Sequence, residues 1–385
     1  MNHVIRNSLL MIFMIMTLFL FMTHTAELVR TVHFSLELWL TRVFPVLFPF
    51  YILINLFIHY GITHYIGNLV SPITTRLFRL KSLSGFVLVM AMLSGNPQSA
   101  VMVSELYKKK QLDQNEAKHL MKFSSFANPL FIMGTVGMGY FHSPYIGLII
   151  LLSHISSNLI IGLLLRFYLP LLSKDANDPT NPVHSKPLAI PFGEVLTGIL
   201  QKGINLMFLI CGFIIFFNLL ILLFEETRVL DGLYYLFTFG HHLNISKTIF
   251  SGFLIGLIEM VRGIDTLTQA RIPLQLKIAL ITSLISFGGL SIHAQVHSIL
   301  EDIHIPYRPF LCYRLMQMVI SGTIAYALYA LIKPKERPIE TGHWLYQLHH
   351  VHLLFMIAFL FILLITYRLA LKQARLNGRQ SFTKG

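Results

Sequence analysis

The sequence predicts an all-α, polytopic membrane protein built from inverted repeats, with two re-entrant helical hairpins and two broken transmembrane helices. Three observations predict it. Only 12% of the 385 residues are charged while 55% are hydrophobic, and the mean hydropathy is +0.66. A soluble domain carries about 25% charged residues, so lipid must solvate much of this surface. The apolar residues fall in runs close to the ~20 residues that span a bilayer as a helix, and none shows the dyad alternation of a barrel strand. Helix breakers and polar groups interrupt the apolar sequence at four places, in the same order on either side of a proline-rich linker.

The first run, Leu9–Thr23, follows the basic residue Arg6 in the outline of a signal peptide. Residues Thr23 to Glu27 contain no clear A-x-A cleavage site, so the run reads as a retained first span within 1–33. Charge then sets a path, because Lys and Arg collect on cytoplasmic loops. Span one leads out and Glu27–Glu37 lies outside. Span two starts near Val43 and returns inside at Arg76, Arg79 and Lys81. The stretch Gly85–Val103 is basic at both ends, with Lys108, Lys109 and Lys110 beyond it, which a hairpin satisfies and a full crossing does not. The chain leaves again through Asn128–Gly139, turns at Ser143-Pro144 and comes back to Arg166. This completes a first repeat over 34–169.

Residues 170–195 form a cytoplasmic linker, since Pro170, Pro179, Pro182, Pro187 and Pro191 among acids and lysines forbid a helix. A second repeat fills 196–332. Its first span, Ile204–Phe224, runs out to Glu225-Glu226. The glycine-broken stretch Ile249–Ile264 enters from outside as a second hairpin, Leu274–Ile299 crosses inward to Glu301-Asp302, and Leu311–Ile332 goes out. The last segment, 333–385, holds the span Val351–Tyr367 and an acid-free tail with Arg368, Lys372, Arg375, Arg379 and Lys384, which places the C-terminus in the cytoplasm. On this path Lys333, Lys335 and Arg337 stay outside, against the usual bias.

The net charge of +13 is topological. Its basic residues are scattered between spans, so nucleic acid is excluded as a partner. Cys211 and Cys312 lie in apolar runs and form no disulfide or metal framework. The histidines, including His241, His242, His349, His350 and His352, lack the carboxylate or cysteine spacing of a metal site and read as interfacial. Trp39 and Trp344 fit an aromatic belt. No nucleotide-binding, nucleophile-elbow or zinc-protease motif occurs, so no cofactor is implied and the chain reads as a carrier, not an enzyme.

The four interrupted stretches are Ser94–Ser99, Ala127–Gly139, Glu259–Asp265 and Phe287–Gln295. Pro and Gly free backbone N–H and C=O groups there, and non-helical backbone at membrane depth is tolerated where it is buried in protein or lines a cavity. Hairpins and broken helices paired in this order mark inverted-repeat transporters, whose site lies at the midplane. Gly95, Asn96, Gln98, Ser99, Asn128, Arg262, Gly288, Gly289, Ser291 and Gln295 are the candidate substrate-binding residues. They supply amide and hydroxyl donors, bare backbone and one cation for a small anion. Glu259, Asp265 and His293 are candidates for coupling to a proton or sodium ion. Glu259 and Arg262 share a face at helical spacing, which also fits a salt bridge that only locks the hairpin. His293 fits equally a hydrogen-bonded interior histidine.

The stretch Leu93-Ser94-Gly95-Asn96-Pro97-Gln98-Ser99-Ala100 resembles an element of the YlbJ-like sporulation integral membrane proteins, which carry the nucleoside-recognition gate domain. So do Asn128–Ile132 with Gly134 and Gly139, Ser153-His154 with Asn158 and Gly162, and most specifically Phe287–Val296. The resemblance runs from about Phe34 to Ile332. It implies an architecture similar to concentrative nucleoside transporters, and export of dipicolinic acid across the mother-cell-derived membrane around the forespore. Carriage of a nucleoside or other metabolite, and a non-transporting scaffold of spore assembly, are the alternatives.

Overall fold

The computed structural model describes residues 3–79, 82–168, 191–238 and 246–332. Most of the proline-rich linker, the cluster Lys333, Lys335 and Arg337, the final span and tail, Trp344, and His241, His242, His349, His350 and His352 lie outside these residues. Every regular element among the described residues is helical. Four helical stretches are long and apolar enough to cross a bilayer, namely Pro144–Leu165, Phe192–Glu226, Leu274–Ile299 and Tyr307–Ile332, and two bent pairs raise the number to six.

The chain opens with α1 (His3–Thr23) and α2 (Thr25–Leu38), which passes through a π-wound turn at Trp39–Val43 into α3 (Phe44–His59). The α2–α3 pair bends by 47°. Pro49 lies inside α3 and leaves one rung of its hydrogen-bond ladder unmade. Glu27–Glu37 lies within helix α2, whose Thr31, Ser35 and Leu38 form a buried stripe against the helix Phe192–Glu226. The apolar run that starts near Val43 forms α3. It ends at Tyr60, Gly61 turns the chain with φ +72, and α4 (Ile62–Phe78) continues in a new direction. A glycine takes that left-handed conformation without a Cβ clash.

After α4 the chain bends by 94° into α5 (Ser82–Ser94), and α6 (Gln98–Lys108) follows the break at 95–97. With 13 and 11 residues, α5 and α6 are about 20 and 17 Å long at ~1.5 Å per residue, short of the ~30 Å hydrocarbon core. They form the first hairpin. Helix α7 (Gln114–Leu120) unwinds over 124–128 and resumes as the π-wound helix Phe131–Tyr140, which makes the first broken helix. Helix α8 (Pro144–Leu165) closes the first half.

Helix α9 (Phe192–Glu226) begins well before Ile204, because Glu194 and Lys202 near its start do not end a helix. The short α10 (Val229–Thr238) had no counterpart in the sequence reading. The second hairpin is α11 (Lys247–Ile258) and α12 (Met260–Gln269), interrupted at Glu259. The second broken helix is α13 (Leu274–Phe287) and α14 (Gly289–Ile299), interrupted at Gly288. Helix α15 (Tyr307–Ile332) ends the described chain and packs along α13 and α8.

The apolar interior has two centres. In one, Phe86, Met102 and Leu106 of the first hairpin meet Leu120 of α7 and Val296 of α14. In the other, Val261, Ile264 and Leu267 of the second hairpin meet Ile132 and Val136 of the π-wound helix and Ile278, Ile281 and Leu284 of α13. Each hairpin is thus seated against one half of each broken helix. The loops that charge places on one face also meet. Lys108 pairs with Asp302 at 3.0 Å and Gln114 Nε2 donates to Ile303 O at 2.8 Å. At another set of ends His24 lies 3.3 Å from Glu226, and Lys247 lies 2.7 Å from Asp231.

A re-entrant first hairpin requires both its basic flanks on one side. With Cys211 and Cys312 replaced by Ser, single cysteines at Arg76 and Lys109 should react with an impermeant maleimide from the same face of oriented vesicles. Labelling from opposite faces would reject the hairpin.

Candidate functional site

Each hairpin tip rests on the break of a broken helix. At the first tip Gly95 has φ +78, and a Cβ there would fall 2.5 Å from Asn128 N. Asn96 N donates to Phe126 O at 2.7 Å, and Asn128 Nδ2 donates to Ser94 O at 2.9 Å. Asn128 Oδ1 accepts from Leu130 N at 2.7 Å and Phe131 N at 3.3 Å, so the same amide caps the half-helix that follows. Ser99 Oγ donates to Asn96 Oδ1 at 3.2 Å. Gln98 Nε2 donates to Leu47 O of α3 at 3.2 Å, while its buried Oε1 has no partner among the described residues. The sequence-predicted residues of this half therefore come together, with most of their polar atoms engaged in joining tip to break.

At the second tip Glu259 is extended, with φ −131 and ψ 113. Its buried carboxylate accepts the Arg262 N–H at 2.7 Å and caps α12. The side chains of Glu259 and Arg262 do not pair across a helical face, because Glu259 stands at the cap, outside the helix. The Arg262 guanidinium instead reaches Glu225 of α9 at 2.6 Å and Asn218 O at 3.4 Å. Asp265 also leads away from Glu259. It accepts from Gln269 Nε2 at 3.3 Å and engages Tyr140, whose hydroxyl takes a 2.9 Å bond from Arg42. Gly288 and Gly289 have φ of +90 and +74, and a Cβ on Gly289 would lie 3.0 Å from Met260 N. Inside the hairpin the backbones touch, since a Cβ on Gly263 would fall 2.1 Å from Gly256 Cα.

His293 closes the second break. Its Nε2 lies 2.9 Å from Phe287 O, so Nε2 carries the proton, and in the neutral ring Nδ1 accepts from the Tyr307 hydroxyl at 3.1 Å. Ser291 Oγ accepts from Gln295 Nε2 at 3.3 Å.

The two breaks are joined by a residue outside the predicted set. His154 of α8 accepts the Ala127 N–H at Nε2, 2.8 Å away, and its Nδ1 lies 2.8 Å from Ser286 Oγ, just before the second break. An acceptor Nε2 fixes the neutral tautomer, so Nδ1 donates to Ser286. Gln317 Nε2 donates to His154 O at 3.4 Å. Below the first break, Arg314 of α15 donates to Ser125 O at 2.8 Å, Lys122 O at 3.2 Å and Asn158 Oδ1 at 3.0 Å. Asn158 Nδ2 also donates to Ser125 O, at 2.9 Å. Arg314 and Gln317 carried a signal in the sequence: they stand three residues apart inside an apolar span, where polar and ionisable groups are expensive. Ser286 carried none, as serines are ordinary in membrane helices.

Two half-length hairpins seated on two interrupted helices, with the interruptions tied by buried polar side chains, define a multi-spanning membrane protein of the hairpin and broken-helix class. Three comparisons bear on which one. The family profile described as Gate, nucleoside recognition, matches residues 40–144. The sporulation integral membrane protein YlbJ of Bacillus subtilis (strain 168) is 31% identical over 343 residues, with 82% of each chain covered. No solved structure matches the chain. The chain belongs to the YlbJ family of integral membrane proteins.

The close backbone approaches predict a contrast among glycines. Gly263→Ala should destabilise the protein by about 1–3 kcal/mol through overpacking, and Gly95→Ala by a similar or larger amount. Gly134→Ala, with nothing within 4 Å of the new methyl, should leave the melting temperature in detergent unchanged. Equal melting temperatures for all three would discount the tip contacts.

Proposed function

We propose that the protein is a secondary carrier of a small aromatic acid, most specifically dipicolinic acid, moving it from the mother cell toward the forespore. The observation that carries this reading is the repeated seating of a hairpin tip on a helix break, with both breaks joined through His154. Such backbone is costly in lipid unless protein, water or ligand satisfies it, and a scaffold has no need of it. Resemblance to YlbJ, whose name marks it as a sporulation protein, supports a place in the membrane around the forespore, and the basic tail supports a cytoplasmic C-terminus. Gly95, Asn96, Gln98, Ser99 and Asn128 on one side, and Gly288, Gly289, Ser291 and Gln295 on the other, border the substrate. Glu259, Asp265 and His293 are the groups proposed for a coupling proton or sodium ion, and no enzymatic step is assigned. Arg262, held by Glu225, anchors the second hairpin to α9 in this reading.

The gate-domain match favours a second reading, carriage of a nucleoside. Both are tested by uptake of radiolabelled dipicolinate into vesicles containing only the purified protein, with uridine as competitor. Saturable uptake that uridine does not inhibit is expected, and Asn128→Ala should reduce it at least tenfold. Uptake of uridine without dipicolinate would establish the second reading in place of the first.

A further inference from the structure

Arg314 is 2% exposed and has no carboxylate partner among the described residues. Its three hydrogen bonds all go to neutral oxygens, those of Ser125, Lys122 and Asn158. Its Nε has no acceptor among the described residues. Among the described residues three other buried polar atoms also lack partners: Ser124 Oγ and Ser125 Oγ on the unwound segment that Arg314 contacts, and Gln317 Oε1, three residues along α15. A guanidinium used only to brace free carbonyls needs no charge. The amide of Asn158 already serves Ser125 O, the same acceptor that Arg314 reaches. A buried cation without a counter-ion is expensive in a bilayer interior, and Arg262, the charge suggested by sequence, is matched by Glu225.

We infer that Arg314 is the anion receptor of the carrier: it binds a carboxylate of the substrate, assisted by the hydroxyls of Ser124 and Ser125, beside the first break. A guanidinium N–H with two hydroxyl donors fits the oxygens of a carboxylate. The position is suited to the task. Arg314 is bonded to the first break through Ser125 O, and Gln317 on the same face is bonded to His154, which reaches the second. A bound anion would therefore touch the network that joins both hairpin–break units.

The inference rests on the carrier reading above, and its test separates the two. Vesicles holding wild-type protein, Arg314→Gln, Arg314→Lys or the exposed same-helix control Arg308→Gln are assayed for uptake of dipicolinate, benzoate and uridine. Size-exclusion profile and melting temperature establish that each variant is folded. Carboxylate uptake should fall at least tenfold in Arg314→Gln, be partly retained in Arg314→Lys, and be unchanged in Arg308→Gln. On the wild-type protein, the neutral diamide of pyridine-2,6-dicarboxylic acid should fail to compete where the diacid succeeds. Equal competition would reject the receptor even if Arg314→Gln does not fold. Undiminished dipicolinate uptake in Arg314→Gln, or equal competition by the diamide, would overturn the anion receptor while the carrier stands. Arg314-dependent uptake of benzoate alone would uphold the receptor and remove dipicolinate as the substrate. Uptake of uridine only, or of none of the three, would overturn both.

Discussion

The rest of the structure depends on one constraint: backbone that leaves a helix at membrane depth must find its hydrogen bonds within the protein. At the first break the chain from Ser124 to Asn128 is not helical. Its groups are taken one by one, Ala127 N by His154, Phe126 O by Asn96 N, and Ser125 O by both Asn158 and Arg314. At the second break the Phe287 carbonyl is taken by His293. These are side chains on α8, α14 and α15 and backbone on the first hairpin. The breaks therefore fix where those elements sit, and the apolar packing fills in around them.

Glycine makes the arrangement sterically feasible. The first tip comes within contact of Asn128 only because Gly95 has no Cβ and accepts a positive φ, and the second because Gly289 does the same against Met260. The two halves solve the same problem with different chemistry. In the first, an asparagine amide serves both the tip and the cap of the next half-helix. In the second, a carboxylate caps the second arm of the hairpin and a histidine closes the break. An inverted repeat needs equivalent geometry in its halves, and that geometry can be held by unlike residues.

Polar density follows the same logic. Buried hydroxyls, amides and two histidines concentrate along α8, α15 and the two breaks, while the lipid-facing sides of the same helices carry Leu, Ile and Val. The ion pairs at the loop ends are partly exposed and add little stability of their own. They serve as markers of which ends lie together. The membrane-depth network, shielded from water, is where any charge is felt most strongly.

The sequence by itself determined the solvent, the helical class, the four places where helices fail, and their paired order, because hydropathy, proline and glycine act locally and leave a direct trace. It also pointed to the tip and break residues, from Gly95 to Gln295, as a group. Tertiary structure alone decided who partners whom. Glu259 and Arg262 looked like a pair at helical spacing, yet a cap turned one toward backbone and the other toward Glu225, some 37 residues earlier. The buried stripe of α2 is set by its packing against α9. His154, Ser286 and Arg314 are far apart in the chain, and no local pattern states that they meet. Their roles exist only because two interrupted helices cross near α8 and α15, where each unmade backbone bond had to be satisfied by whichever side chain the fold brought within reach.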